Sequence, residues 1–243
     1  MMDYETGSGY HQAVKVSGYD SVWKMKYDYC LGNIIPVLKR KFSKDEAVRI
    51  LEIGPGLGIM AEVLHDYFSI LDYSVIDIDT GILDRVKMKF PNTHVECITS
   101  INAYKNSQMP PFDVIIAMDV WEHLPPSDLI DYTKCCLGRL KPGGVLILQV
   151  PNWGCPFTPG TIFAGDLTHR NMFNEISMNQ LLLISGADAK SIKILPYRFH
   201  GRLAFLRSCI QKIILNTIKL FCFGVGCARV SIMTPNLIAV VEL

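Results

Sequence analysis

Apolar and polar positions along this chain follow two periods: short β-branched runs, and longer stretches in which apolar residues recur every three to four positions. Val48–Ile53, Tyr73–Asp79, Thr93–Ile98, Phe112–Met118, Val145–Val150, Ser191–Leu195 and Asn236–Glu242 read as strands. Phe112–Met118 is almost wholly apolar, as a strand covered on both faces should be. Helical pattern fills Ile59–Phe68, the stretch starting near Gly81 with Asp79 as its cap, Ser127–Leu140 with Ser127 as its cap, and Ser177–Ser185. Lys141-Pro142-Gly143-Gly144 stops the third of these helices. Strands alternating with helices predict an α/β fold, its sheet mostly parallel and its connections right-handed.

Two stretches lie outside this alternation. Ser21–Arg40 approximates a helical face through Val22, Met25, Tyr29, Ile34 and Leu38, with Pro36 as a break and Lys39-Arg40-Lys41 as a solvated end. Between the last two strands, Leu203–Phe221 is amphipathic: Leu206, Ile210, Ile213, Ile214, Thr217, Leu220 and Phe221 share one face, while Ser208, Gln211, Lys212, Asn216 and Lys219 share the other. Arg207, Lys212 and Lys219 argue against a membrane span. The helix either lies in a membrane interface or packs on the domain or on a second subunit as a homodimer. Arg198, His200 and Arg202 precede it, a cationic cluster suited to phosphate or carboxylate or simply to solvent. The expected layout is one domain over 1–243, with a helical cap at 1–45, a core at 46–195, an insertion at 196–235 and a last strand at 236–243.

Composition narrows the class. A chain of 243 residues can bury one α/β core with an added cap. The net charge of +1 gives no global pull toward nucleic acid. Eight cysteines form no C-x-x-C pair and several sit in apolar runs, which favours core thiols in a reducing compartment over disulfides or zinc. Met1–Tyr10 lacks the basic-then-apolar pattern of a signal peptide, so a cytoplasmic location is expected, peripheral to the inner membrane face if Leu203–Phe221 touches lipid.

The candidate chemistry begins at Leu51-Glu52-Ile53-Gly54-Pro55-Gly56-Leu57-Gly58, a strand running into three glycines and then a helix. Such a loop lets backbone approach a ligand without a Cβ in the way. The spacing is G-x-G-x-G rather than the G-x-G-x-x-G of a dinucleotide pyrophosphate site, and Glu52 favours a cationic ligand over an anionic one. Asp77, at the tip of the next strand, suits ribose hydroxyls. With LEIGPGLG, VIDID, FDVIIAMDVWEHL and GRLKPGGVLILQVPN in that order, residues 48–190 resemble the class I S-adenosylmethionine-dependent methyltransferases. The resemblance implies a Rossmann-like seven-stranded sheet whose last two strands form an antiparallel edge pair. It also implies S-adenosylmethionine as cofactor and S-adenosylhomocysteine as product. Glu52, Gly54, Gly56 and Gly58 would line the methionine, Asp77 and Ile78 the ribose, and Met118 and Asp119 the far wall. Ser100 and Ile101 fall where the family often has an acid beside the adenine, and that acid is missing. N-terminal helices cover the cofactor in the family, so Tyr4, Tyr10 or Tyr19 could touch it.

Two stretches could act on an acceptor. Asp166-Leu167-Thr168-His169-Arg170 follows the fifth strand, and histidine is well matched to accept a proton near neutrality. Its D-x-T-H-x-x-x-F pattern resembles methyltransferases of saccharides and of quinone precursors. His169 is the candidate base and Asp166 its orienting partner or a substrate ligand. Asp119-Val120-Trp121-Glu122-His123 follows the fourth strand. It resembles a metal-associated pattern of the quinone-precursor enzymes and could hold magnesium. We assign no metal ligand and take His123 as the second candidate base. The expected reaction is O-methylation of a sugar in a nucleotide- or lipid-linked glycan. A quinone precursor or other small hydroxyl compound is the nearest alternative, and an inactive methyltransferase-like partner is the alternative from another class. No nucleic-acid partner is expected.

Overall fold

The computed structural model describes residues 19–226 and 231–243. Its sheet has seven strands: β1 (Ala47–Ile53), β2 (Ile70–Asp77), β3 (His94–Cys97), β4 (Phe112–Met118), β5 (Leu140–Pro151), β6 (Ile192–Pro196) and β7 (Asn236–Glu242). Their order is β3-β2-β1-β4-β5-β7-β6. Every pairing is parallel except those of β7 with β5 and β6. β6 therefore runs with the parallel strands, and its carboxyl end lies at the edge of the sheet where β1, β2, β4 and β5 also end.

Helices cover both faces. On one side α1 (Tyr19–Asn33), α2 (Ile35–Leu38), α3 (Ile59–Tyr67) and α4 (Thr80–Lys89) share a core with Ile50, Tyr73, Ile116 and Ile147. On the other, α5 (Ile101–Asn106), α6 (Leu129–Gly138) and α7 (Glu175–Ile184) pack with Leu51, Ile115, Leu146 and the buried Trp121. Alternate residues of the central strands feed opposite cores, which is why those strands read as continuous apolar runs. α8 (Ala204–Gly224) occupies the expected insertion.

Local chemistry explains where the boundaries moved. Asp79 caps α4 as expected, accepting from the amides of Gly81 and Ile82. Ser127 does not cap α6: its hydroxyl donates to Asp128, and the helix starts at Leu129. α7 begins before Ser177 because Asn174 and Ser177 form a reciprocal capping box. The chain breaks at Ile34 rather than at Pro36, which sits in the first turn of α2 where its missing N–H costs nothing. Lys141-Pro142-Gly143-Gly144 belongs to β5, the register with β4 shifting as Gly143 takes a φ of 78°. All seven cysteines among the described residues are free; Cys30, Cys136 and Cys155 are buried as core thiols, whereas Cys97 and Cys209 are exposed. Tyr4 and Tyr10 lie outside the described residues.

Candidate functional site

The carboxyl ends of β1, β2, β4 and β5 share one edge of the sheet, and sheets of this kind bind ligands in the crevice outside that edge. Its floor is the loop after β1. Gly54, Gly56 and Gly58 have φ of 70°, 54° and 73°, a region open to glycine and strained for other residues. A Cβ on Gly54 would stand 2.6 Å from Val120 Cγ2, so the loop after β4 closes down on this glycine. A Cβ on Gly56 would meet nothing within 4 Å, which marks the open side of the cradle. Gly54→Ala is accordingly expected to destabilise the fold by about 1–3 kcal/mol through strain and overpacking. Gly54→Ala/Val120→Ala should recover part of the loss in a thermal melt.

Two carboxylates border the loop. Glu52 is buried and accepts a short hydrogen bond from the Tyr73 hydroxyl. Burial pushes its pKa up to about 7, partly offset by that hydrogen bond, with the Asp77 charge adding to the rise. Asp77 ends β2 half-buried, accepts from the Asp79 amide at 2.9 Å, and is raised to about 6, first by burial. Ile78 beside it is exposed. At the positions expected beside the adenine, Ser100 caps α5 through the Ala103 amide and Ile101 packs on the core.

The far wall is the loop after β4. Asp119 has a φ of 55°, unmatched by any other non-glycine among the described residues. Strain of this kind is usually held by surrounding contacts at functional sites. Here Gln149 on β5 donates to its carboxylate at 2.6 Å, and Lys26 of α1 lies 3.5 Å away. α1 thus reaches across to the crevice, with Cys30 also against the Met118 sulfur.

The same loop continues to the acceptor side. The amides of Arg170 and Asn171 donate to the Glu122 carbonyl at 2.7 and 3.0 Å, and the Asn171 side chain donates to the carbonyls of Trp121 and Leu124. These bonds tie the β5–α7 loop to the β4–α6 loop and bring His123 and His169 together, ring centroids 4.7 Å apart. Asp166 does not hydrogen-bond His169, since the closest approach is 4.0 Å; its partner is the Thr168 hydroxyl at 2.6 Å. That hydroxyl lies 2.9 Å from His123 Nδ1. A hydroxyl has one proton, and donating it to Asp166 leaves Thr168 to accept from His123 Nδ1–H. His123 Nε2 is then the free basic nitrogen. Burial and the neighbouring His169 lower the His123 pKa, which keeps that nitrogen unprotonated. Burial would raise Asp166, but the Thr168 bonds and the two imidazoles hold it below the usual carboxylate range. Thr168 is the residue that sequence reasoning does not single out, although it stands in the D-x-T-H pattern itself. Trp153 and Phe163 meet edge to face at 4.8 Å beside His169 and line this side.

Glu122 is fully buried and neither carboxylate oxygen has a hydrogen-bond partner; burial and the Asp119 charge hold its pKa far above normal. Ligand atoms of Glu122, His123 and His169 lie within 4.8 Å of one another. Asp119, grouped in the sequence with Glu122 and His123, turns instead to Gln149 and Lys26.

A family model described as a methyltransferase domain matches residues 24–189. The chain belongs to that family. S-adenosylmethionine is its cofactor, and the crevice fits it. Gly56 leaves the glycine cradle open, and Glu52 and Asp77 put carboxylates at the ends of β1 and β2 beside it, groups whose chemistry suits a cationic ligand and a diol. Solved structures with this fold include an S-adenosylmethionine-dependent methyltransferase from Archaeoglobus fulgidus, 16% identical, covering 93% of this chain and 100% of that one, with a TM-score of 0.63. Another, from Clostridium acetobutylicum, is 14% identical over 97% and 99% of the two chains, with a TM-score of 0.59. A putative O-methyltransferase from Nostoc punctiforme is 11% identical over 91% of this chain and 60% of that one, with a TM-score of 0.57. A comparison with curated proteins finds no match.

The raised carboxylates set a pH dependence for this methyltransferase. We expect the cationic cofactor to favour ionised Glu52, so that binding below pH 7 releases the proton that burial retains. Affinity is expected to rise with pH to about 7 and level off above it. As pH falls below the Asp77 value near 6, affinity should drop by roughly tenfold or more per unit. Isothermal titration in buffers of differing ionisation heat reads the proton release, and Glu52→Gln should remove most of it. Stability of the empty protein moves the other way: its buried carboxyls prefer the protonated form, so it loses stability as pH rises from the normal carboxylate range to about 7.

Proposed function

We propose that this methyltransferase acts on a hydroxyl group, the leading acceptor being a sugar of a nucleotide- or lipid-linked glycan. The observation that carries the reading is the pair of imidazoles, His123 and His169, beside an Asp166–Thr168 link at the edge of the crevice. An alcohol ionises far above neutrality, so a base positioned to take its proton is of use to O-methylation in particular. The cofactor supplies an electrophilic methyl carbon on a sulfonium. The chain's part is to align the acceptor oxygen, exclude water and hold the departing proton. In that transfer His169, the first candidate, or Nε2 of His123 would take the hydroxyl proton, while the methyl–sulfur bond would break and the cofactor leave as the neutral thioether. Trp153 and Phe163 offer ring surface that suits the C–H face of a sugar and equally the plane of a phenol. Transfer of labelled methyl to a panel of sugar nucleotides, glycolipids and phenols decides between them. Labelling of phenols alone moves the acceptor to the quinone-precursor class. Cofactor binding with no acceptor labelled favours the inactive partner.

A cation-assisted form of the same transfer is the second reading, favoured by the unpartnered Glu122 oxygens next to two imidazoles. Those three side chains would hold the ion, and its chemistry would be to polarise the acceptor oxygen. Elemental analysis of the purified protein and activity in the presence of a chelator separate the two.

A further inference from the structure

Outside the crevice, the feature the reaction leaves unused is α8. No helix among the described residues is long and apolar enough to cross a membrane. Yet no residue of α8 is buried, and its largest apolar side chains are strongly exposed: Phe205 84%, Leu220 71%, Ile213 69% and Phe221 68%. The side that is half-buried carries Ala204, Gln211, Leu215, Ile218 and Cys222, spaced by seven, four, three and four residues, one stripe of a helix. The opposite stripe is Leu206, Ile210, Ile213, Leu220 and Phe221, so the apolar face points away from the domain. Lys212 and Lys219 flank it on one side and Arg207 on the other.

Charge is segregated to match. Between Arg198 and Gly226 the sequence has no Asp or Glu and five of the chain's 24 Lys and Arg, leaving 19 against 23 acidic residues elsewhere. A nearly neutral chain is thus an acidic body carrying one basic, apolar projection. The projection has a fixed root. The Arg198 amide donates to the Asn33 side chain at 2.7 Å, and Asn33 donates back to the Arg198 carbonyl at 3.0 Å. His200 lies so close to Gly32 that a Cβ there would meet it at 2.6 Å. Glu175 accepts from Ser231 and Ile232 at the other end.

We propose that α8 is a membrane-seating helix that lies in the headgroup region of an anionic bilayer, its outward apolar stripe in the acyl boundary and its lysines and arginines on lipid phosphates. An interfacial helix has this division of faces, with cations beside the apolar stripe. A second copy of the chain is the less favoured occupant. An isologous contact would set this segment against itself, bringing cations to cations with no acidic residue in the segment to answer them. α8 leaves from the carboxyl end of β6, the sheet edge that carries the crevice. Seating it therefore brings the acceptor side near the lipid surface. The inference stands whether the acceptor is lipid-linked or free.

Flotation of the full chain with vesicles of phosphatidylcholine, with and without 30% phosphatidylglycerol, tests this. The intact protein should float with the anionic vesicles and bind neutral ones at least about tenfold more weakly, since each cation near such a surface adds roughly 1 kcal/mol. Ile213→Asp/Leu220→Asp should abolish flotation. Arg202→Gln/Lys212→Gln should weaken binding at least tenfold. All four side chains project into solvent, and S-adenosylhomocysteine binding by each variant reports that it remains folded. Absence of flotation by cofactor-binding intact protein overturns the proposal. So does a dimer seen by light scattering that Ile213→Asp/Leu220→Asp dissociates.

Discussion

His169→Ala lowers turnover by about 10²-fold or more if the imidazole takes the acceptor proton. Cofactor affinity should stay nearly unchanged, because the glycine cradle and Asp77 lie on the other side of the Asp119 loop. His123→Ala is expected to cost a comparable amount, since its Nε2 is freed by the Asp166–Thr168 link. The double variant should be scarcely worse than the more damaging single one, as groups that act together lose their effect together. Thr168→Val leaves both rings in place but removes the hydroxyl that fixes the His123 tautomer; a smaller fall in turnover with unchanged acceptor KM is expected. Full activity in both histidine variants would remove them from the chemistry. Single-turnover rates with saturating cofactor make the comparison free of product release.

Gly56→Arg is expected to weaken S-adenosylhomocysteine binding by ~100-fold or more, equivalent to about 3 kcal/mol. Nothing stands within 4 Å of the position, so the added side chain would fill the cradle. At a φ of 54° the substitution also strains the backbone, costing roughly 1–2 kcal/mol of stability. Gly138→Arg is the control. That glycine likewise has open space around it, but it ends α6 at the opposite edge of the sheet, and calorimetry should show its binding intact. Equal losses in both variants would mean that general destabilisation, not occupation of the cradle, weakens binding.

Much of this was legible in the sequence, and the limits have physical reasons. The central strands stand out in the sequence because each is buried on both faces, which leaves a continuous apolar run. The sequence shows β2 only from Tyr73, because Ile70 and Asp72 are exposed and Asp72 pairs with Arg49, so its start looks like a loop. α5 leaves no trace in the sequence pattern, because six residues are too few to show a helical period. The glycine spacing marked the cradle, but nothing local could show that Val120 closes on Gly54. In the acceptor region, His123 and His169 stood out singly by residue type. Their pairing depends on Arg170 and Asn171 binding the Glu122 carbonyl, a contact between segments nearly fifty positions apart. The expected Asp166–His169 partnership followed from proximity in sequence. The fold instead gave the carboxylate to Thr168, the nearer donor.

A crystal structure of the chain with S-adenosylhomocysteine and an acceptor hydroxyl compound bears most directly on the site. The predicted result places the methionine on Gly54–Gly58, the ribose on Asp77, and the acceptor oxygen between the cofactor sulfur and the His123–His169 pair. A sulfur turned away from those imidazoles, or an acceptor seated elsewhere along the sheet edge, would contradict it.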